Sequence, residues 1–310
     1  MLTITNDLID RFRRLVYDKS DLYFADKKLV FFERRLRERL MALGLADYED
    51  YCALLARDPL ELGMLVQDLT TNKTHFFRDR AQFRALRDTV LPGLVEARNL
   101  DVMRTWGSGA PSSAPGRNPA MSIRIWSSGC STGEEAYSIA FTLLDTVRYP
   151  RAWDLEVLAT DINRAVLDTA RRGVYGDDAV RELEPDVRDR YMRHGGDGWK
   201  VRDDARSAVA FREGNIKELS GPGGRRTLVV SDPAGRSVRR DLTEYFDVIF
   251  CRNVMIYFDR DAQQRLVDAL YGCLKPGGFL FTGDSEPLHL FSHGFTRAHS
   301  GEALYYRKPI

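Results

Sequence analysis

The chain has 310 residues, enough for two domains and a sizeable core. Its 46 Lys and Arg against 45 Asp and Glu leave a formal net charge of +1, so it lacks the basic field that announces a nucleic-acid binder. Cys52, Cys130, Cys251 and Cys273 are scattered and form no C-x-x-C pair, which suggests neither a zinc knuckle nor a disulfide framework and fits a reducing compartment.

The opening MLTITNDLIDRFRRLVYDKS is charged throughout, so no secretory signal is expected, and no stretch approaches the roughly 20 apolar residues of a membrane span. The expectation is a soluble cytoplasmic protein. Helices are predicted through residue 70. Leu8, Phe12 and Leu15 lie at helical spacing, as do Phe32, Leu36, Leu40 and Leu43 in FFERRLRERLMALGL, with Gly44 as the stop. Helical stretches DYEDYCALLARD and LELGMLVQDL follow. TTNKTHFFRD then precedes a helix AQFRALRDTVLPGLVEA. Residues 104–120, rich in Gly, Pro and Ser, read as a flexible connection.

From residue 121 the period changes. SIRIWS, LEVLAT, FDVIFC and FLFTGD are predicted strands, and GEEAYSIAFTLLDTV, NRAVLDTARRG and RDAQQRLVDALYGCL are the helices between them. Such alternation implies an α/β fold with a parallel sheet covered on both faces. KPGG is predicted as a turn, and GFTRAHSGEALYYRKP as a closing antiparallel hairpin. Residues 174–212 hold a helix, the Gly-rich turn RHGGDG, WKVRDD and SAVAFRE, and read as a small subdomain. TLVVSDPAGRSVRR, within 220–241, reads as a further hairpin.

Doubly wound sheets bind ligands at the carboxyl ends of their strands, near the point where strand order reverses. The first strand ends at WSSGCSTG. Its small residues let backbone approach a ligand, and the helix opening near Gly133 aims N–H groups there. GCSTG also fits G-x-S-x-G, the turn on which a hydrolase mounts a nucleophile, here Ser131. The second strand ends at ATD, which places Asp161 to accept hydrogen bonds from ribose hydroxyls of NAD or S-adenosylmethionine, or to cap the next helix. A missing G-x-G-x-x-G counts against a dinucleotide. Glu134 and Glu135 open a helix whose dipole favours carboxylates, and the α-amino cation of S-adenosylmethionine would give one of them a partner. Arg252 and Asn253 follow FDVIFC at the same edge, and residues 254–258 read as a pocket wall.

TTNKTHFFRD, SSGCSTGEEAYSIA, ATDINRAVLDTARRGVY, FCRNVMIYFD and LKPGGFLFTGDSE, in this order across residues 70–286, together resemble the CheR family of chemotaxis receptor methyltransferases. The resemblance implies a Rossmann-like class I S-adenosylmethionine methyltransferase domain, residues 72–310, with an inserted small β-subdomain at about 176–212. An all-α receptor-docking domain, residues 1–71, precedes it. The 104–120 connection and the 220–241 hairpin are longer than the family pattern. The implied reaction moves a methyl group from S-adenosylmethionine to glutamate side chains of receptor cytoplasmic helices, giving methyl esters and S-adenosylhomocysteine. Carried over by motif, the cofactor-binding positions are Asn72, Thr74, Arg78, Glu135 with its neighbour Glu134, Asp161, Asn215, Ile216, Arg252 and Asn253. Arg78 and Tyr257 match the catalytic positions. Arg34, Arg35, Arg37 and Arg39 in ERRLRER resemble the family's substrate-docking face, though Glu33 and Glu38 would equally balance a solvated helix face. The expected partners are methyl-accepting receptor helices, with no nucleic acid, no membrane insertion, no metal, and a monomeric enzyme.

The chemistry is consistent with these residue types. A glutamate with a reference pKa of about 4.3 is already ionised, so no general base is required. The enzyme must bring carboxylate, methyl carbon and sulfur into line. An arginine can hold a carboxylate, and a phenol can add a hydrogen bond. Two rival readings are a non-catalytic S-adenosylmethionine-binding module, which has no use for both Arg78 and Tyr257, and a serine hydrolase. The latter would pair Ser131 with Asp259 or Asp284 and with His289, His293 or His299, but no HGGG-type motif precedes Ser131. His289 and His293 stand four apart in a stretch bounded by Pro and Gly, which favours a loop over a helical metal pair.

Overall fold

The computed structural model describes residues 4–70, 72–107, 121–219 and 224–310. The chain forms two compact units, Met1–Asn72 with Val254–Leu266, and Lys73–Asn253 with Val267–Ile310.

The first unit contains helices α1 (Asn6–Ser20), α2 (Leu29–Ala42), α3 (Tyr48–Arg57) and α4 (Pro59–Leu69). Three of their starts are chemically marked. The Thr5 hydroxyl accepts from the Leu8 N–H, the Asp47 carboxylate from Asp50, and the Asp58 carboxylate from Leu60 and Glu61. Each such cap is worth about 1 kcal/mol. Phe12, Val16, Phe32, Leu36, Leu40 and Leu65 are buried, each contributing about 1.5–3 kcal/mol. Leu43, expected on the apolar stripe, instead follows the last residue of α2 and is 40% exposed, and Gly44 at φ +66° ends the helix. The unit expected to close at residue 71 also takes in residues 254–266. There Leu22 bridges Phe258, and the Tyr23 N–H donates to the Tyr257 carbonyl at 2.7 Å. These pairings give the backbone leaving α1 partners that a separate helical bundle would not supply.

The second unit opens with α5 (Arg80–Ala85), a π-helical turn (Leu86–Val90) and α6 (Leu91–Gly107). The connection expected from residue 104 therefore starts later, since 104–107 are helical; residues 108–120 lie outside the described ones. Next come β1 (Ser122–Ser128), α7 (Glu134–Thr146), β2 (Asp154–Asp161), α8 (Arg164–Arg172), β3 (Val174–Tyr175), α9 (Asp177–Val180), α10 (Pro185–Tyr191), β4 (Met192–Gly195), β5 (Gly198–Val201), α11 (Asp203–Ser207) and β6 (Val209–Glu213). Then follow β7 (Thr227–Ser231), β8 (Ser237–Asp241), β9 (Phe246–Cys251), α12 (Arg260–Cys273), β10 (Leu274–Thr282), β11 (Thr296–Ser300) and β12 (Ala303–Arg307).

One sheet has the order β11-β12-β10-β9-β1-β2-β6-β7-β8, and β3-β5-β4 form a second, antiparallel one. Strands β1, β2, β6, β9 and β10 are mutually parallel. Every residue of β9 is buried, as in a central strand covered on both faces. From β1 the chain steps outward to β2 and β6, then returns to β9 on the other side. The order thus reverses between β1 and β9, where doubly wound sheets open a ligand crevice. Ser128 pairs with Thr160 and Cys251, and Cys251 with Thr282. Gly129, Asp161, Arg252 and Gly283, each one residue further, therefore share one edge.

Three local expectations change. SAVAFRE, expected inside the small subdomain, supplies β6, which pairs with β2 from Val157↔Val209 to Asp161↔Glu213. Its alternating apolar residues serve the larger sheet, and the small sheet spans residues 174–201. KPGG is not a free turn. It lies within β10, where the register against β9 shifts between Leu274 and Phe279, an irregularity that absorbs the glycines. The hairpin β7–β8 extends the main sheet at β6, through the pair Glu213↔Ser231; residues 220–223 of its expected span are outside the described ones.

Candidate active site

The turn from β1 to α7 is built on backbone. Gly129 and Cys130 N–H groups donate to the Thr160 carbonyl at 2.8 and 3.0 Å, and the Ser131 N–H donates to Asp161 Oδ2 at 2.8 Å. Gly133 sits at φ +98°, and a Cβ there would stand 2.8 Å from Ala170 Cβ. Glycine is required both for the conformation and for the approach of α8. Asp161 Oδ1 accepts the Asn163 N–H at 2.8 Å. The cap of α8 is Asn163 itself, whose side chain accepts from Ala165 and Val166, so the capping alternative for Asp161 falls to its neighbour. Burial pushes the Asp161 carboxyl above its ordinary value, against the opposing pull of the Asn163, Ser131 and Ile162 N–H groups.

Arg252, just past β9, organises the other side. Its side chain is 1% exposed. Nη2 donates to the Arg78 carbonyl at 2.8 Å and to the Asp79 carboxylate, and Nη1 lies 3.4 Å from Glu135 Oε2. The Ser127 hydroxyl donates to Glu135 Oε1 at 2.7 Å, and the Phe77 N–H donates to Ser138 Oγ at 2.9 Å. The loop 73–79 is thereby clamped to the end of β9 and the first turns of α7. Burial pushes the Glu135 carboxyl up, opposed by Arg252, the Ser127 hydroxyl and Arg78. Glu134 is also raised by burial, with the Thr132 hydroxyl donating to it at 2.6 Å. Of the two acids, Glu135 is the one aimed at Arg252.

The remaining positions divide by unit. Arg78 is half-buried, and Nη1 donates to the Lys73 carbonyl at 3.0 Å, the one hydrogen bond its guanidinium makes among the described residues. Thr74 is half-buried in the same loop. Asn215 follows β6 directly after Gly214, whose N–H donates to the Asp161 carbonyl at 3.0 Å. Its side chain caps the short helix that begins at Ile216, accepting from Lys217 at 3.1 Å. Asn253 takes φ +58°. Asn72 and Tyr257 belong to the first unit, where Thr70 Oγ1 donates to Asn72 Oδ1 at 3.5 Å and Lys28 Nζ lies 5.4 Å from the Tyr257 ring centroid. Of residues 254–258, read from sequence as a pocket wall, Phe258 pairs there with Leu22 and Tyr257 with Tyr23.

On α2, Arg34 and Arg37 are exposed, and Arg35 is half-buried with Nη1 on Glu38 at 2.7 Å. Arg39, one turn beyond Arg35, is committed to a different partner. Its Nε and Nη2 reach Glu61 Oε1 and Oε2 at 3.0 and 2.5 Å, so the expected docking residue is the half-buried partner of a buried carboxylate.

Sequence reading passed over Asp79, Ser127 and Glu286. Glu286 is buried and accepts the N–H groups of Asn253 and Gly283. All three lie inside or beside the quoted motifs, but nothing in their spacing tells which distant residue each would meet.

Strand order, glycine turn and buried acid at the end of β2, together with the Arg252–Glu135 pair, fit an S-adenosylmethionine-dependent methyltransferase, and the comparisons with known proteins show that class. Two family models match: "CheR methyltransferase, SAM binding domain" over residues 111–230 and 236–303, and "CheR methyltransferase, all-alpha domain" over residues 7–70. The chain is 33% identical over 313 residues to the chemotaxis protein methyltransferase of Escherichia coli, covering 98% of this chain and 92% of that one. Identity is 35% over 287 residues to that of Klebsiella aerogenes (92% and 84%) and 30% over 311 residues to chemotaxis protein methyltransferase 2 of Vibrio cholerae (99% and 95%). This chain belongs to the CheR methyltransferase family. The hydrolase reading of Ser131 falls with that membership. No helix among the described residues is long and apolar enough to cross a membrane.

The residues fit S-adenosylmethionine. The crevice presents acids for a cation and for hydroxyls, and Arg252 Nε and Nη1 are buried without a hydrogen-bond partner among the described residues.

Proposed function

We propose that the protein transfers the methyl group of S-adenosylmethionine to glutamate side-chain carboxylates on the cytoplasmic helices of chemotaxis receptors, giving glutamate methyl esters. The observation that carries this reading is Arg78. Among the described residues its guanidinium makes one hydrogen bond, from Nη1 to the Lys73 carbonyl, which leaves a fork of donors for an acceptor. A planar fork of donors suits a carboxylate.

Asp161 is assigned to ribose hydroxyls and Glu135, beside Glu134, to the α-ammonium. Asn72, Thr74, Asn215, Ile216, Arg252 and Asn253 complete the cofactor contacts. When bound, S-adenosylmethionine supplies an electrophilic sulfonium methyl. The receptor glutamate arrives ionised and needs no base. Arg78 orients its carboxylate, and the Tyr257 phenol donates one further hydrogen bond. Too firm a grip would stabilise the ground state, so alignment matters more than charge. The first unit docks the receptor helix through exposed Arg34 and Arg37, in the cytoplasm.

The test is labelled-methyl transfer to receptor cytoplasmic fragments. Base-labile label on the receptor is expected, as a carboxyl ester requires. Tight S-adenosylhomocysteine binding without label on any receptor fragment would overturn the reading in favour of a non-catalytic module.

A further inference from the structure

A notch lies at the edge of β6 that faces away from β2. Strand β7 pairs with β6 at Glu213↔Ser231, so the edge from Val209 to Arg212 is left uncovered by the hairpin. Around it is a cavity of 320 Å³, lined by Arg171 of α8, Arg206 of α11 and Arg212 of β6, with Tyr137, Phe211 and Pro233 among its other walls.

Backbone carbonyls hold the three guanidinium groups in place. The Phe211 carbonyl accepts from Arg212 Nη1 at 2.9 Å and from Arg171 Nη2 at 3.5 Å, and the Arg171 carbonyl accepts from Arg206 Nη2 at 3.1 Å. Neutralisation is weak by comparison. Arg171 pairs with Asp168 and Arg206 with Asp203, each acid three residues away in sequence, with acid side chains 55% and 96% exposed. Solvated pairs of this kind are worth about 0–1 kcal/mol and leave the cation available to a better acceptor. Arg212 has no carboxylate partner among the described residues. Arg171 Nε is buried and makes no hydrogen bond among them. The notch thus concentrates fixed positive charge and unspent donors in a concave site.

We propose that this notch binds the phosphate of a small phosphorylated ligand, a phosphomonoester or diphosphate. Guanidinium forks recognise phosphate oxygens bidentately, and holding them beforehand lowers the ordering cost of binding. The site is also wired to the cofactor side. Arg212 pairs in register with Thr160, and Glu213 with Asp161.

Inorganic pyrophosphate is the probe, titrated calorimetrically at constant ionic strength into the full chain saturated with S-adenosylhomocysteine, so that the crevice is already filled. Saturable binding at a single site is expected, with a dissociation constant below about 1 mM. Arg212→Ala should weaken it at least about tenfold, because the one arginine without an acid is lost. If that variant does not fold, Arg212→Gln keeps a donor for the Phe211 carbonyl while removing the charge. No saturable heat up to about 10 mM, or equal affinity in the folded Arg212 variant, overturns the proposal. So does an equal heat from potassium chloride.

Discussion

Glu286 accepts the Asn253 N–H at 2.6 Å and the Gly283 N–H at 2.9 Å, both on Oε2. Asn253 follows β9 by one residue beyond Arg252, and Gly283 directly follows β10. One buried oxygen therefore ties two strand ends and holds Asn253 at φ +58°. A Cβ on Gly283 would stand 2.6 Å from that same oxygen, so glycine is what admits the carboxylate. Glu286→Ala strands two N–H groups, each costing about 1–3 kcal/mol if left buried. S-adenosylhomocysteine affinity should fall about tenfold or more. Glu286→Gln can accept both bonds on its amide oxygen and should stay near wild type. Calorimetry on both variants decides this; an alanine variant with undiminished affinity detaches Glu286 from the site.

Gly133→Ala tests the turn before α7. The substitution combines a positive φ with a Cβ 2.8 Å from Ala170 Cβ and 3.1 Å from its Cα. Backbone cannot yield as a flexible side-chain tip would. A loss of about 2 kcal/mol or more is expected in urea denaturation, and a loss below about 0.5 kcal/mol contradicts the packing described.

Much of the second unit was legible because central strands are apolar runs that end in small or polar residues, and the helices between them are periodic. WSSGCSTG, ATD and FCRN announced their strand ends. What was not legible depends on partners far away in the chain. Arg252 meets Asp79 across 173 residues, and no spacing rule connects them. SAVAFRE alternates equally well for either sheet, and only the pairing with β2 decides. KPGG has turn composition yet is absorbed as a strand irregularity. ERRLRER shows four arginines alike, and only the position of Glu61 separates Arg39 from the rest.

Three of the acids in the site carry a pH signature. Burial raises Glu134, Glu135 and Asp161 above their ordinary values. Between the ordinary and the raised value, the folded protein holds more protons than the unfolded chain, so stability falls as pH rises through that window. Asp161→Asn removes one such group. The stability of wild type relative to this variant, measured by urea denaturation across a pH series without cofactor, should decline through the window and level off above it. A flat or rising difference contradicts the raised Asp161.

Arg78→Ala removes a guanidinium with a single hydrogen bond to protein among the described residues, so the fold should survive. Methyl transfer to receptor fragments should drop at least about a hundredfold in kcat/KM, the scale of a lost charge-assisted bond that positions the acceptor. Arg78→Lys keeps the charge but not the fork and should recover only part of it. Turnover like wild type in the alanine variant would remove Arg78 from the reaction.

The arginines of α2 separate into two tests with opposite readouts. Arg34 and Arg37 are exposed, and reversing both to Glu should raise KM for an acidic receptor helix, leave kcat unchanged and flatten the salt dependence of KM. Arg39 behaves differently because Glu61 is 5% exposed and also takes the Tyr51 hydroxyl at 2.9 Å. Arg39→Ala leaves that carboxylate buried without its cation, at a cost of about 3–5 kcal/mol. Its signature is a lowered melting temperature of the whole chain, with KM unchanged in the fraction that remains folded. A KM effect in Arg39→Ala at unchanged melting temperature would return this residue to the docking face. An unchanged KM in the double reversal would take the face itself out of receptor recognition.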